Sequence, residues 1–285
     1  MLVFVGSAWR LIDYAVDYVR AQKGAQELRD VYYAETPAPT LAPAATAAKA
    51  VPTAVPAITP IPADPSRLPA VYYPGNASAR VRERFATLQR QNADIIGWLR
   101  IDDMLDEPVV QRDNEYYLRR DYRGYHNVNG AIFLDEDVKL RTRPYTVTLY
   151  GHNMKTGAMF GALRNYENIA YYKNNPFISF DSAYEDGRYV IFAITTFSTQ
   201  ARDRNFVDFY KLHSDTITWR QEMIERLKAL SIYKTNVDVA PDDQLLLLVT
   251  CVDDDDERRV VAARRVRAGE SEARLKEIVA DSRKQ

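Results

Sequence analysis

Residues 243–266 read DQLLLLVTCVDDDDERRVVAARRV, and the kind of fold this chain can form follows from that stretch. Leu245 to Val249 make an apolar run of strand length that ends on Thr250 and Cys251. The acidic run 252–257 must be solvated, and after it Val260 to Ala263 resume an apolar run between two pairs of arginines. Two apolar runs joined by a short polar segment predict a β-hairpin. The returning strand carries Arg258 and Arg259 back beside Cys251, and strand alternation puts Arg258, Val260 and Ala262 on one face with Arg259 on the other. Cys251 is the single cysteine of the chain, so it has no internal disulfide partner. Such a thiol is either buried filler or a reactive group. Its place at the end of a buried strand, next to a solvated loop and beside cationic side chains, makes it a candidate nucleophile, because nearby positive charge favours the thiolate.

Outward from this hairpin the chain reads mainly as further strands: IIGWLRI (95–101), EPVVQ (107–111), GAIFLD (130–135), YTVTLYG (145–151), FISFD (177–181) and RYVIFAITTF (188–197). One clear helix interrupts them. SDTITWRQEMIERLKAL (214–230) spaces Ile217, Met223, Ile224, Leu227 and Leu230 at helical intervals behind a Ser214 or Asp215 cap, and GAMFGALRNY (157–166) predicts a shorter one. ARVRERFATLQRQN (79–92), introduced by Asn76-Ala77-Ser78, predicts a helix with Val81, Phe85 and Leu88 on one face. Many short strands with few helices predict a mainly β fold, a closed or nearly closed β-barrel with helices outside it.

Of three histidines, His152 alone emerges at the end of a strongly apolar strand, in TLYGHNM; His126 sits in the polar loop RGYHNVNG and His213 precedes a helix cap. Strand ends on a rigid scaffold are where catalytic groups concentrate, which makes His152 the candidate acid/base. The sequence contains neither G-x-S-x-G nor C-G-S-C-W, the lipase-type and papain-type motifs, which narrows the field. It also has no Cys/His spacing for a metal and no phosphate-binding glycine loop, so no cofactor is expected. With 38 basic and 39 acidic residues mixed along 285 positions, the net charge of −1 offers no basic face for nucleic acid.

The chain before the barrel has two parts. Residues 1–34 predict a helix, apolar at first and amphipathic later. Arg10 and Asp13 interrupt its apolar run before the roughly 20 residues that a bilayer core requires. Three readings fit: the tail of a signal anchor, an interfacial helix with Trp9, Tyr14 and Tyr18 at headgroup level, or an amphipathic helix packed on the domain. Residues 35–75, rich in Pro, Ala and Thr, predict an extended stalk, with the catalytic domain over 76–285. The stalk is poor in core-forming residues, so the chain from residue 69 onward is expected to fold without what precedes it.

In order along the chain, NADIIGWLRI (92–101), EPVVQRDNEYYL (107–118), NGAIFLDED (129–137), TLYGHNMKTGAMFGALRNY (148–166), VTC (249–251) and then R-x-V-V-x-A-R from Arg258 resemble the phrases of class B sortases, the cysteine transpeptidases of Gram-positive bacteria. The resemblance runs from about Arg80 to Arg267. It implies a sortase-type barrel and makes residues 1–34 the remnant of a membrane anchor, with the domain on the extracellular face. It further implies that Cys251 attacks a threonine carbonyl in the C-terminal sorting signal of a secreted protein. The acyl group then passes to an amine of a peptidoglycan precursor, with His152 moving the protons and an arginine meeting the oxyanion. The phrase puts Arg258 at the family's arginine and Arg259 at a variable position, in agreement with strand alternation. Asn114, Leu118, Tyr150, Thr250, Asn205 and Phe206 resemble residues of the substrate groove. Leu247 and Val249 depart from the usual T-L-x-T-C, where a threonine and often a serine stand, and this leaves the sorting signal open. A pilin-polymerising transpeptidase, a cysteine hydrolase and a surface-displayed barrel with an inert thiol are the competing expectations.

Overall fold

The computed structural model describes residues 23–34, 65–68, 73–102, 104–208, 214–251 and 257–285, with Cys251 described by its backbone. The apolar N-terminal run, most of the Pro/Ala/Thr-rich segment and His213 lie outside the described residues.

Eight strands close into a barrel: β1 (Ile95–Ile101), β2 (Leu105–Val110), β3 (Ile132–Leu134), β4 (Thr146–His152), β5 (Phe177–Ser182), β6 (Arg188–Ser198), β8 (Leu245–Cys251) and β9 (Glu257–Arg265). Their spatial order is β1-β2-β3-β4-β8-β9-β6-β5, and β5 returns to pair with β1. The mainly β, closed-barrel expectation is therefore met. Two strands of two residues, β7 (Tyr233–Lys234) and β10 (Arg283–Lys284), pair separately.

Most neighbours are antiparallel, but β4 and β8 run parallel over their whole length, from Thr146↔Leu245 to His152↔Cys251. Paired residues share a side of the sheet, so the register separates two surfaces. The row Leu134, Leu149, Leu248, Val261 and Ile194 fills the barrel interior. The neighbouring row Phe133, Tyr150, Val249, Val260 and Thr195 faces outward. Phe133 there joins a second hydrophobic cluster outside the barrel, with Leu28, Tyr32, Phe85, Leu88 and Trp98.

That second cluster includes α1, residues 23–33, whose Ala25, Leu28 and Tyr32 recur at helical spacing and are buried. Tyr32 stacks on Trp98 with ring centroids 4.3 Å apart, and Arg29 donates from Nε to the Asp106 carbonyl at 2.8 Å and pairs with Glu107 at 3.1 Å. The described part of the N-terminal segment is thus an amphipathic helix docked on the barrel. Among the described residues no helix is long and apolar enough to cross a membrane.

The helices differ from the sequence expectation at their starts. Helix α2 (Glu83–Gln89) begins four residues later than expected, and Val81 is 41% exposed, because Asn76 brackets Arg80 instead of capping a helix. The Asn76 side-chain amide donates to the Arg80 carbonyl at 2.7 Å and its carbonyl accepts the Arg80 N–H at 3.0 Å, while Ala79 adopts φ +47°. Helix α4 (Ile217–Leu230) buries Met223, Ile224 and Leu227 on the barrel, but neither Ser214 nor Asp215 caps it. Arg67 holds the Asp215 carboxylate with two hydrogen bonds of 2.9 and 2.7 Å. Arg220 of α4 is fully buried among Thr146 Oγ1 and the Asp243 carbonyl at 2.8 and 2.7 Å, and burial draws its pKa down to about 10. A short helix, α3 (Ile169–Asn174), and a C-terminal one, α5 (Glu272–Ala280), complete the outer layer.

Candidate active site

His152 and Cys251 are the last residues of β4 and β8, paired side by side in the parallel ladder. Both belong to the outward-facing row, since Tyr150 and Val249 precede them by two residues. The β8–β9 ladder ends at Val249↔Val260. Two positions beyond it on β9, Arg258 falls on the face of Val260 and Ala262, in the same row as Cys251, and on its far side it pairs with Phe197 of β6. Two consecutive strands, β8 and β9, and one far earlier in the chain, β4, thus bring the candidate nucleophile, the candidate acid/base and one arginine to one end and one face of the barrel. His152 is buried and Arg258 half-buried.

The segment after His152 is tightly held. Asn153 bridges to Met159, whose φ of +49° lies in the left-handed region that a side chain rarely adopts. Arg164 straps the loop down, donating to the carbonyls of Gly161 and Met154 at 2.8 Å each. Glycine is required at two positions here. A Cβ on Gly161 would lie 2.0 Å from the Met154 carbonyl oxygen, and one on Gly151 would lie 2.8 Å from the Phe160 ring. Phe160 opens a 3-10 helix, Phe160–Glu167, and is itself fully buried. This helix packs across the strand ends on the inner side and leaves the outer side to the His152–Cys251–Arg258 row.

The other arginine goes elsewhere. Arg259 lies on the inner row and pairs with Glu167, the last residue of the 3-10 helix, with its side chain 22% exposed. Thr250 is also on the inner row and fully buried. Its hydroxyl oxygen accepts the Arg259 N–H at 3.0 Å. Thr250 is thus held against the backbone of β9, beneath the His152–Cys251–Arg258 row.

Tyr150, two residues before His152 on the same face, donates its hydroxyl to Asp135 at 2.8 Å. Asn114 is half-buried in the loop after β2 and accepts the Glu136 N–H at 3.0 Å, which draws that loop to the segment after β3. Leu118 packs, like Tyr150, against the outer cluster. On the opposite side, Asn205 and Phe206 lie along the end of β6: Ser198 bridges to Phe206 and donates its N–H to the Asn205 carbonyl at 3.1 Å. They are therefore neighbours of Phe197, the residue paired with Arg258. The six groove candidates divide into Tyr150 on β4, Asn114 and Leu118 in the segment between β2 and β3, Asn205 and Phe206 beside the end of β6, and Thr250 on the inner row of β8. Sequence reasoning missed Glu167 and Asp135, the partners of Arg259 and Tyr150, because an isolated acidic residue carries no motif. Among the described residues no cluster of His, Cys, Asp and Glu could hold a metal.

Three comparisons with known proteins bear on this geometry. The sortase domain family profile matches residues 99–266. Sortase B of Listeria monocytogenes is 32% identical over 174 residues, which cover 60% of this chain and 68% of the relative. Among solved structures, sortase B from Bacillus anthracis in complex with AAEK1 aligns over 88% of this chain and 99% of that one, with 25% identity and a TM-score of 0.65. A Staphylococcus aureus sortase B–substrate complex aligns over 67% of this chain and 88% of that one, with 27% identity and a TM-score of 0.59.

Proposed function

The chain belongs to the sortase family, in its class B branch, and from that premise we propose that it is a cysteine transpeptidase acting on the sorting signal of a secreted protein. The observation that carries this reading is the pairing of His152 with Cys251 at the ends of two parallel strands, with Arg258 in the same row.

In the proposed reaction the Cys251 thiolate attacks the carbonyl carbon of a threonine in the signal. The carbonyl oxygen becomes an oxyanion, and the Arg258 guanidinium donates N–H bonds to it. The C–N bond then breaks as protonated His152 gives its proton to the leaving amine, which departs with the C-terminal part of the signal. A thioester on Cys251 remains. An amine of a peptidoglycan precursor attacks it through a second tetrahedral state, His152 takes the amine proton, and the Cys251 thiolate leaves. The product is an amide linking the secreted protein to the wall precursor. Asn114, Leu118, Tyr150, Asn205 and Phe206 are the proposed groove walls. The packing of Leu118 and Tyr150 on one outer cluster and the bridge of Phe206 to the end of β6 support this role, as does the substrate bound by the S. aureus sortase B. The proposed location is the extracellular face of the membrane, with the segment before α1 as the anchor; the apolar run at residues 2–5 supports it. No cofactor enters the scheme.

The test is incubation of the full chain with a pool of threonine-containing peptides, with and without triglycine. A new amide to triglycine, dependent on Cys251, supports transpeptidation; cleavage indifferent to the amine would make the protein a hydrolase.

A further inference from the structure

Arg258 is the second residue of β9 and lies beyond the last pair of the β8–β9 ladder. A strand end held by its backbone on one side alone can rotate about its axis, and a side chain that must meet an oxyanion cannot tolerate such freedom. Two contacts remove it. The buried Thr250 hydroxyl takes the place of the missing ladder: it accepts the Arg259 N–H at 3.0 Å and donates back toward the Arg259 carbonyl at 3.5 Å. The Arg259 guanidinium, in turn, is tied to the Glu167 carboxylate at the end of the 3-10 helix.

Glu167 is a fixed post even though its carboxylate is 60% exposed. The Tyr233 hydroxyl donates to the Glu167 carbonyl at 2.6 Å, and Tyr233 itself stacks flat on the fully buried Tyr172, centroids 5.5 Å apart. Asn168, next along the chain, caps α3 by accepting the Ala170 N–H at 2.9 Å. The backbone is therefore pinned on both sides of the carboxylate.

We propose that Glu167 is a positioning residue for acyl transfer: by holding Arg259 on the inner side of β9 it turns Arg258 toward the groove. Successive side chains of a strand point to opposite faces, so fixing one sets the direction of its neighbour. The proposal rests on the reading of Arg258 as the oxyanion partner. Glu167 touches neither substrate nor the reacting atoms and acts through Arg259 alone.

In the full chain, Glu167→Ala and Arg259→Ala are each expected to lower kcat about threefold to tenfold on the best-cleaved member of a threonine-containing peptide pool, with KM changed less than about twofold. The double variant is expected to be no slower than either single one, because both break the same tether. Glu167→Asp should recover part of the loss. Alkylation of Cys251 by iodoacetamide, a displacement that forms no oxyanion, should keep its rate in every variant. Losses that multiply in the double variant, alkylation that slows in step with kcat, or singles as fast as the parent would overturn the proposal. A parent chain that alkylates but never acylates would instead remove the reading of the reaction on which the proposal stands, and the proposal with it.

Discussion

His152 and Cys251 end neighbouring parallel strands as a directly paired couple, although 98 residues of chain lie between them. A pair placed by a seven-residue ladder is positioned by the scaffold and not by loop conformation. We therefore expect His152→Ala to fold as the parent does and to lose about 10²- to 10⁴-fold in turnover, the range for removing a general acid/base. Circular dichroism and steady-state rates on the same preparation check both halves of this expectation.

Arg258 and Arg259 should separate by size of effect. Arg258→Ala is expected to lower the acylation rate by about 10²- to 10³-fold with a smaller change in substrate affinity, because the charge it meets develops in the transition state. Arg258→Lys should recover only part, since an ammonium keeps the charge without the planar fork. Single-turnover acylation rates decide: a larger loss for Arg259→Ala than for Arg258→Ala would exchange the two roles.

The strands of the barrel were legible because their apolar runs are short, bounded by polar turns, and too brief for buried helices. The pairing of β4 with β8 was not, since apolar periodicity marks a strand but carries no register for a partner so far along the chain. The alternation of Arg258 and Arg259 could be read from the hairpin; what Arg259 does on its own side depended on Glu167, which sits in a helix the sequence marked only by its apolar residues. The resemblance marks Thr250 as a groove residue; that its hydroxyl accepts the Arg259 N–H depends on the register of β8 with β9, which the motif does not carry. The late start of α2 escaped because Asn76, a good capping residue by type, spends its amide on Arg80.

The docked helix α1 bears on where the folded unit begins. Leu28 is fully buried and Tyr32 stacks on Trp98, so the outer cluster draws residues from both sides of the Pro/Ala/Thr-rich segment. Leu28→Ala is expected to cost about 2–5 kcal/mol, and a chain starting at residue 69 should melt lower than the full chain and bind more of a hydrophobic dye. Identical melting of the two would show that α1 contributes nothing to the fold.

Glu107 supplies a pH dependence. Burial raises its pKa to about 7 despite the attraction of Arg29, and the nearby Asp106 charge adds to the rise. A folded pKa above the unfolded one means that the native state holds the proton more tightly, so stability from this group declines as pH climbs from about 4.5 toward 7. Glu107→Gln removes that decline. Relative to the parent, the variant should be more stable at pH 8 than at pH 5, by up to about 3 kcal/mol. Denaturant titrations at both values check the sign, and a variant that loses ground at pH 8 would show that the ion pair with Arg29 outweighs burial.

In the proposed reaction Cys251 carries the acyl group. The most direct measurement is intact-protein mass spectrometry of the full chain after rapid quenching with a threonine-containing peptide pool, followed by peptide mapping. We predict one adduct, on Cys251, equal to the peptide up to and including its threonine, discharged by triglycine and absent in Cys251→Ala. An adduct at another residue, or undiminished turnover in Cys251→Ala, would contradict the account.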